Sequence, residues 1–346
     1  MKRRVISKVE REEILSLPGT GLTGNRCFFA CFVALPETPM WQKRCVYKLW
    51  LMAGHTISAF AKIDFLCKAM GLYFTSLNSG SNGNCYYIAN DHEAVLVDTG
   101  LSCKETEKRM QSLGLTMEKV KAIFISHEHC DHIKGLPAIA SKYNLPVFIS
   151  KKTYEKSGLS LSPSLLQWLA PDSSVQVGNL VINAFTKKHD AEDPHSFTIC
   201  GNGLTVGVFT DIGRACSNIT QHFNRCHAAF LESNYDEEML ENGRYPIYLK
   251  NRIRNGFGHL SNAQALDIFI NHRPGFMSHL LLSHLSKDNN DPALVQRLFE
   301  THATHTRIIV ASRYAATELY SIRQQGDAGI MVKSRIFKAV QMALFD

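Results

Sequence analysis

The sequence has no apolar run long enough to cross a lipid bilayer. An apolar run at residues 28–35 has about the length of a signal-peptide core, but a long polar segment precedes it and no small-residue cleavage site follows. The ten cysteines are irregularly spaced and include no Cys-x-x-Cys pair, which argues against a disulfide scaffold. We therefore expect no secretion signal or membrane anchor, reduced thiols, and a cytoplasmic location.

Outside its first 69 residues the sequence also lacks an excess of positive charge. Those 69 residues carry 11 Lys and Arg against 5 Asp and Glu, so they hold six of the seven net positive charges. The remaining residues carry 27 basic and 26 acidic side chains. Any contact of this larger part with nucleic acid must therefore be local rather than made by a broad basic face.

The first 69 residues lack sustained helical or strand periodicity, whereas a strand-like run begins directly after Met70-Gly71. Two explanations are open. Either the start codon is assigned too early and Met70 is the natural first residue, or the segment is a genuine extension with a helical arm at residues 46–68. We assign residues 1–69 no chemistry, residues 70–320 to one folded domain, and residues 321–346 to a flexible basic tail.

Between residues 72 and 312, short β-rich runs alternate with helical stretches. Strands are predicted at residues 72–78, 85–89, 94–97, 122–126, 146–149, 228–232, 280–283 and 308–312, with a strand-rich block at 175–209. Helices are predicted at residues 102–113, 136–142, 262–270 and 292–300. Two blocks of strands with helices outside them predict a layered αββα fold of the mixed α/β class, not a doubly wound parallel sheet.

The sequence lacks a Gly-x-Ser-x-Gly elbow and a convincing Cys/His dyad, which argues against a protein nucleophile. Instead, His127, His129, Asp131 and His132 follow one predicted strand within six residues. A strand end followed by a sharp loop can turn all four side chains toward one point. Imidazole and carboxylate ligands of this kind suit zinc, manganese or iron.

Four other polar residues, Asp98, His189, Asp211 and His284, each follow an apolar run. Any one of them alone would more often be a strand-end cap or a satisfied core group. Their shared placement and their order along the chain favour a joint site with the histidine-rich loop.

These residues resemble the HxHxDH motif and the further ligands of the metallo-β-lactamase superfamily, over about residues 72–313. The resemblance implies an αββα hydrolase with two divalent ions, zinc or manganese, that activate a water molecule. The ligands that it implies are two triads and a bridging aspartate: His127, His129 and His189; Asp131, His132 and His284; and Asp211. Asp98 would orient the ligands from outside.

Within the superfamily, the sequence resembles the YycJ/WalJ group, described as 5′-to-3′ DNA exonucleases. Five segments carry this likeness, at residues 77–85, 189–194, 232–236, 258–262 and 282–290. The resemblance implies a phosphodiesterase that acts on DNA 5′ ends in repair or replication. Alternatives stay open: ribonuclease Z-like RNA processing, cyclic-nucleotide hydrolysis, or a metal-stabilised adaptor without catalysis that binds DNA or a clamp.

His259 lies in a glycine-flanked loop before a predicted helix, where a side chain can reach over the site. Ribonuclease Z enzymes place a histidine in a similar loop, paired with an upstream glutamate. By that analogy Glu232 and His259 are predicted to deliver the proton to the leaving oxygen, and with Asp131 they form the predicted catalytic set. A loop histidine bonded to backbone is the alternative.

The Gly/Ser/Asn loop at residues 79–84 is a candidate phosphate cradle through its backbone N–H groups. An ordinary hairpin turn is the alternative. Arginines before His259 are candidate clamps for the DNA backbone, with a solvated helix face as the alternative. The predicted substrate-binding residues are Ser79, Ser81, Asn82, Asn84, Arg252 and Arg254.

The pentapeptide at residues 341–345 resembles the short peptides that bind the bacterial sliding clamp. In those peptides, a glutamine and an apolar Leu-Phe pair fill a hydrophobic groove. We therefore predict clamp contacts by Gln341, Leu344 and Phe345. The alternative is a helix end that carries apolar residues by chance.

Overall fold

The computed structural model describes residues 71–324. The strands in this range are β1 (Gly71–Asn78), β2 (Cys85–Ala89), β3 (Ala94–Val97), β4 (Val120–Phe124), β5 (Val147–Ile149), β6 (Leu166–Trp168), β7 (Ser174–Val177), β8 (Leu180–Thr186), β9 (His195–Gly201), β10 (Leu204–Phe209), β11 (Ala228–Glu232), β12 (His279–Ser283), β13 (Arg307–Val310) and β14 (Tyr320–Arg323). The α-helices in the same range are α1 (Cys103–Ser112), α2 (Cys130–Ile133), α3 (Leu136–Tyr143), α4 (Lys151–Ser157), α5 (Ser217–Phe223), α6 (Glu237–Asn242), α7 (Ile247–Arg254), α8 (Asn262–His272) and α9 (Pro292–Glu300). The predicted extension at residues 1–69 and the predicted clamp peptide lie outside the described residues.

The strands form two seven-stranded sheets, in the orders β14-β1-β2-β3-β4-β5-β6 and β13-β12-β11-β10-β9-β8-β7. Each sheet is antiparallel in one half and parallel in the other. Strands β3 to β6 are parallel in the first sheet, and strands β10 to β13 are parallel in the second. The carboxyl ends of parallel strands lie at one edge of a sheet, which is where ligand sites form in α/β folds.

Three apolar layers hold the two sheets and their helices together. The central layer lies between the sheets, where Phe74 meets Phe230 edge-on at 6.1 Å between ring centres. On one outer face, Met110 of α1 and Ile139 of α3 pack on the first sheet. On the other, α5, α8 and α9 cover the second sheet, with Phe269 of α8 buried there. Because both faces of each sheet are covered, strands such as β2 are buried throughout.

The predicted αββα arrangement is confirmed by these layers. The last strand, β14, pairs with β1 in antiparallel register, from Gly71 opposite Arg323 to Phe74 opposite Tyr320. Ordered structure thus continues beyond residue 320, past the start of the predicted tail at residue 321. Within residues 71–324, no helix has the length and apolar character needed to span a membrane.

Candidate metal centre

The predicted site residues lie together where parallel strands end. Asp98 follows β3, Asp211 lies two residues after β10, and His284 follows β12 directly. All three have positive backbone φ angles, of 61°, 55° and 57° respectively. Such angles are costly for residues other than glycine and persist where the surrounding structure requires them. The sharp turn at each strand end brings these side chains toward a shared space.

His127, His129 and His189 form the first cluster of candidate ligands. The Nε2 atoms of His127 and His189 lie 3.0 and 3.3 Å from His129 Nδ1. His189 Nδ1 donates a hydrogen bond to the Gly258 carbonyl, which leaves its Nε2 directed at the cluster. Burial lowers the pKa of His189 to about 3 and that of His127 well below its usual value. Both rings are therefore neutral, each with a nitrogen lone pair available for a metal.

Asp131, His132 and His284 form the second cluster. Asp131 Oδ2 lies 3.5 Å from the Nε2 atoms of both histidines. Burial opposes a charge on His284, but the carboxylates of Asp211, Asp131 and Glu232 raise its pKa to about 10. Burial also acts to raise the pKa of Asp131, yet the neighbouring histidines hold it at about 2. A cluster this rich in carboxylates attracts positive charge, either as protons or as a metal cation.

Asp211 lies between the two clusters. Its Oδ2 is 3.2 Å from His132 Nε2, and its Oδ1 is 3.5 Å from His284 Nδ1 and 3.9 Å from His189 Nε2. The Oδ2 atom is buried and makes no hydrogen bond with any residue that the structure describes. A buried carboxylate oxygen without a donor is costly, and a cation would satisfy it. These side chains therefore fit divalent metal ions.

Asp98 contacts the second cluster from outside. Its Oδ2 accepts a hydrogen bond from His132 Nδ1 at 2.8 Å, and its Oδ1 accepts the Ser126 backbone N–H at 2.8 Å. The Ser126 hydroxyl also donates to Asp98 Oδ2 at 2.9 Å. The contact through Nδ1 leaves His132 Nε2 facing Asp131 and Asp211, which supports the predicted orienting role of Asp98.

Two residues predicted to bind substrate, Ser79 and Asn84, are instead buried and hold the candidate ligands. Ser79 Oγ accepts the His284 backbone N–H at 2.7 Å and lies 2.8 Å from the Tyr86 hydroxyl. Asn84 Nδ2 donates to Asp131 Oδ2 at 3.1 Å. Their backbone N–H groups also donate to the carbonyls of Ser312, at 3.2 Å, and Asp131, at 2.7 Å, so both residues position the site, while a phosphate cradle made by the other backbone N–H groups of the loop stays a prediction.

The other two loop residues, Ser81 and Asn82, are exposed. Ser81 lines the cleft beside the metal clusters. The side-chain amide of Asn82 donates to the Arg313 carbonyl at 2.8 Å, which fastens the loop to the segment after β13. Ser81 is thus the one of the four predicted loop residues that lines the cleft.

The two predicted arginine clamps differ in their surroundings, although both belong to α7. Arg252 lines the cleft, and its Nε donates to Asp190 Oδ2 at 2.5 Å. Arg254 does not line it and instead pairs with Glu241 at 2.7 Å. Arg252 is thus the one of the two that lines the cleft, and the clamp roles of both arginines stay predictions.

Glu232 and His259 are brought together beside the candidate metal ligands. His259 Nδ1 lies 2.8 Å from Glu232 Oε1 and 3.9 Å from Asp211 Oδ1. The Oε2 atom of Glu232 accepts the backbone N–H groups of Ile212, at 2.6 Å, and Leu260, at 3.2 Å. Burial raises the pKa of Glu232, but the charge of His259 and hydrogen bonds from His259 and His284 outweigh it and hold the pKa at about 2. The carboxylate is therefore ionised and fixed, and its partner imidazole reaches the cleft.

Comparison with known proteins agrees with this geometry. The family model described as "Metallo-beta-lactamase superfamily" matches residues 79–175. Among curated proteins, "Exodeoxyribonuclease YycJ" of Bacillus anthracis is 36% identical over 224 residues, which cover 64% of this chain and 85% of that protein. The chain belongs to the YycJ/WalJ family of the metallo-β-lactamase superfamily. "Exodeoxyribonuclease WalJ" of Streptococcus pneumoniae (strain D39) is 30% identical over 226 residues, which cover 64% of this chain and 84% of that protein.

Solved structures place this YycJ/WalJ-family member in the same fold. The metallo-beta-lactamase fold protein YhfI of Bacillus subtilis has a TM-score of 0.56 at 16% identity and covers 72% of this chain and 99% of its own. Zn(2+)-bound PqqB of Methylobacterium extorquens has a TM-score of 0.57 at 11% identity and covers 73% of this chain and 100% of its own. As a member of this superfamily, the chain is a metal-dependent hydrolase.

The metal clusters of this metallo-β-lactamase domain open into a cleft of about 270 Å³. Sequence analysis missed several residues that line or support it. Asn234 Nδ2 donates to the His284 carbonyl at 2.6 Å, and Lys187 Nζ donates to the Thr210 carbonyl at 2.7 Å, next to Asp211. Asn234 lies in one of the five segments that resemble the YycJ/WalJ group, but Lys187 had no sequence signal, because only the fold shows that its amine is buried.

Proposed function

We propose that the chain is a dinuclear metal-dependent phosphodiesterase that removes nucleotides from the 5′ ends of DNA. The observation that carries the proposal is one cleft that joins two His/Asp clusters, a shared aspartate and a Glu–His pair. Two family members named as exodeoxyribonucleases support DNA as the substrate. A role in DNA repair or replication follows from that substrate.

The metal ligands in this proposal are His127, His129 and His189 for one ion, Asp131, His132 and His284 for the other, and Asp211 for both. Zinc or manganese fits this set of imidazole and carboxylate donors. Bound there, the ions supply Lewis-acid stabilisation of the phosphate and lower the pKa of a water molecule toward neutrality. The chain itself then needs no nucleophilic side chain, and its own residues orient the ligands and move protons.

Proton transfer to the leaving oxygen is assigned to His259. Its Nδ1 hydrogen bond to Glu232 Oε1 holds the ring so that Nε2 is the atom left to donate. The ionised carboxylate of Glu232 accepts the Nδ1 hydrogen bond and so fixes the orientation of the ring. After transfer, the Nδ1 proton stays on the ring and remains bonded to Glu232. Glu232 is thus a positioning residue, while His259 touches the substrate.

Hydrolysis of a 5′-phosphorylated, 3′-labelled DNA duplex with manganese is the direct test. We expect stepwise shortening from the 5′ end by the wild-type protein and none by Asp131→Ala, which removes the oxygen shared between His132 and His284. Lys121→Ala, an exposed change on β4, is the matched control that keeps activity. A folded, metal-loaded protein that leaves DNA intact but cleaves RNA or a cyclic nucleotide would overturn the DNA assignment.

We also propose that the protein works in the cytoplasm and is recruited by the sliding clamp through Gln341, Leu344 and Phe345. The six free cysteines of the described residues suit a reducing compartment. A labelled peptide of residues 336–346, titrated with clamp, is expected to bind in the micromolar range. The same peptide with Leu344→Ala and Phe345→Ala should lose that binding. Equal titration curves for the two peptides would remove the clamp proposal and leave the exonuclease proposal intact.

A further inference from the structure

One wall of the cleft is formed by α7, whose exposed surface is aromatic and basic. Leu249, Arg252 and Ile253 of this helix line the cleft. Tyr248 precedes Arg252 by four residues, so the two side chains are neighbours on the helix surface. The Tyr248 side chain is 73% exposed. A large aromatic ring this exposed, beside a cleft-lining arginine, is available to a ligand that extends out of the cleft.

The basic residues of α7 favour an anionic ligand. Its exposed aromatic ring favours a ligand with a flat part that can stack. The helix sequence Ile247–Arg254 contains three basic residues and no acidic one. Arg252 uses its Nε for Asp190, which leaves its terminal nitrogens to bind a phosphate. Nearby, Arg214 lies over the exposed ring of Phe257 at 5.7 Å from its centre. Aromatic rings interleaved with arginines are how proteins bind single-stranded nucleic acid.

We propose that Tyr248 and Arg252 bind an unpaired segment of the DNA strand that enters the cleft, with a base stacked on Tyr248 and the adjoining phosphate on Arg252. The proposal rests on the proposed exonuclease function. Four residues of helix rise about 6 Å, which lets one base and its neighbouring phosphate reach both side chains. A base in the interior of a duplex has both faces covered by its neighbours, so a nucleotide that follows the first one must be unpaired to stack there. The site therefore takes an unpaired stretch of the strand, which a duplex can supply by opening at its end.

Kinetics on a 5′-phosphorylated single-stranded oligonucleotide test the stacking contact. Tyr248→Leu is expected to raise KM about tenfold with kcat little changed, because base stacking on an aromatic ring is lost. Tyr248→Phe should keep the wild-type KM, since it retains the ring. Phe276→Leu is the matched control: Phe276 is 54% exposed but lies before β12, at the opposite edge of the sheet from the cleft.

Binding without turnover separates this inference from the proposed function. In EDTA, the fluorescence of an oligonucleotide with 2-aminopurine near its 5′ end should be quenched by wild type, Tyr248→Phe and Phe276→Leu, but less by Tyr248→Leu. DNA degradation by the wild type with equal KM and equal quenching for Tyr248→Leu would overturn the inference alone. Ring-dependent quenching without any degradation would instead contradict the exonuclease proposal alone.

Discussion

Asp211→Asn is expected to lower phosphodiester hydrolysis by roughly 10³-fold, because it removes the charge shared by both ligand clusters. Asp211 lies within 4 Å of His132, His189 and His284, which is the position that the proposed bridging role requires. Burial raises the pKa of Asp211, but the charges of His284 and His132 outweigh it and keep the group ionised. The amide keeps the shape of the side chain and loses only its charge.

The measurement pairs kcat with metal content after dialysis. Asp211→Asn should retain less metal than wild type, and added manganese should restore only part of the activity. Asp267→Asn offers a matched control, because Asp267 is exposed on α8 and its carboxylate bonds to Asn271 within the same helix. Wild-type kcat in Asp211→Asn, with wild-type metal content, would show that this carboxylate does not bridge the clusters.

The candidate ligands could be predicted from sequence because they follow a local rule. Each follows an apolar run, and for most of them the run is a parallel strand, whose end lies at one edge of the sheet with the others. His189 instead follows β8, which is antiparallel to its neighbours. Asp98 and His284 come directly after β3 and β12. The Glu232–His259 pair could not be predicted from such a pattern, because the two residues are 27 positions apart. Only the analogy with ribonuclease Z enzymes joined them.

The burial of Ser79 and Asn84 could not be predicted from the composition of the loop at residues 79–84. Serine and asparagine in a turn are usually solvated, and burial is decided by partners far along the chain. Ser79 is buried because it accepts the backbone N–H of His284, 205 residues away. Asn84 is buried because it bonds to Asp131 and His132. No local pattern contains these pairings, and the phosphate cradle through backbone N–H groups of the loop stays a prediction.

The apolar pattern of the sequence did not predict α7, for a related reason, although a helix face was the alternative for its arginines. Its Ile247 and Tyr248 are exposed, so the apolar periodicity of a packed helix is weak. Arg252 and Arg254 are two positions apart and therefore lie on different sides of the helix. Which side faces the cleft is set by Ile253, which packs on Tyr235 and Leu240. Sequence reasoning could propose both arginines but could not distinguish them.

His259→Ala is expected to lower kcat on DNA by roughly 10²- to 10⁴-fold, the usual range for loss of a general acid. The 3′-oxygen of a nucleotide is a poor leaving group and needs a proton, which is the role proposed for His259. A p-nitrophenyl phosphodiester releases a stable phenolate, so on that substrate His259→Ala should cost less than about tenfold. His92→Ala, in the exposed turn between β2 and β3, is the matched control. Equal losses on both substrates would contradict proton donation by His259.

Glu232→Gln completes this test, because Glu232 acts only through its neighbours. The amide oxygen can still accept the N–H groups of Ile212 and Leu260, but the amide nitrogen cannot accept the proton on His259 Nδ1. We expect a loss in kcat of about 10- to 100-fold on DNA, as for other residues that orient a functional side chain. If the pair acts as a unit, the double variant with His259→Ala will be no slower than His259→Ala alone. A fully multiplicative loss would mean that Glu232 acts mainly through His284, whose Nδ1 lies 3.1 Å from the same oxygen.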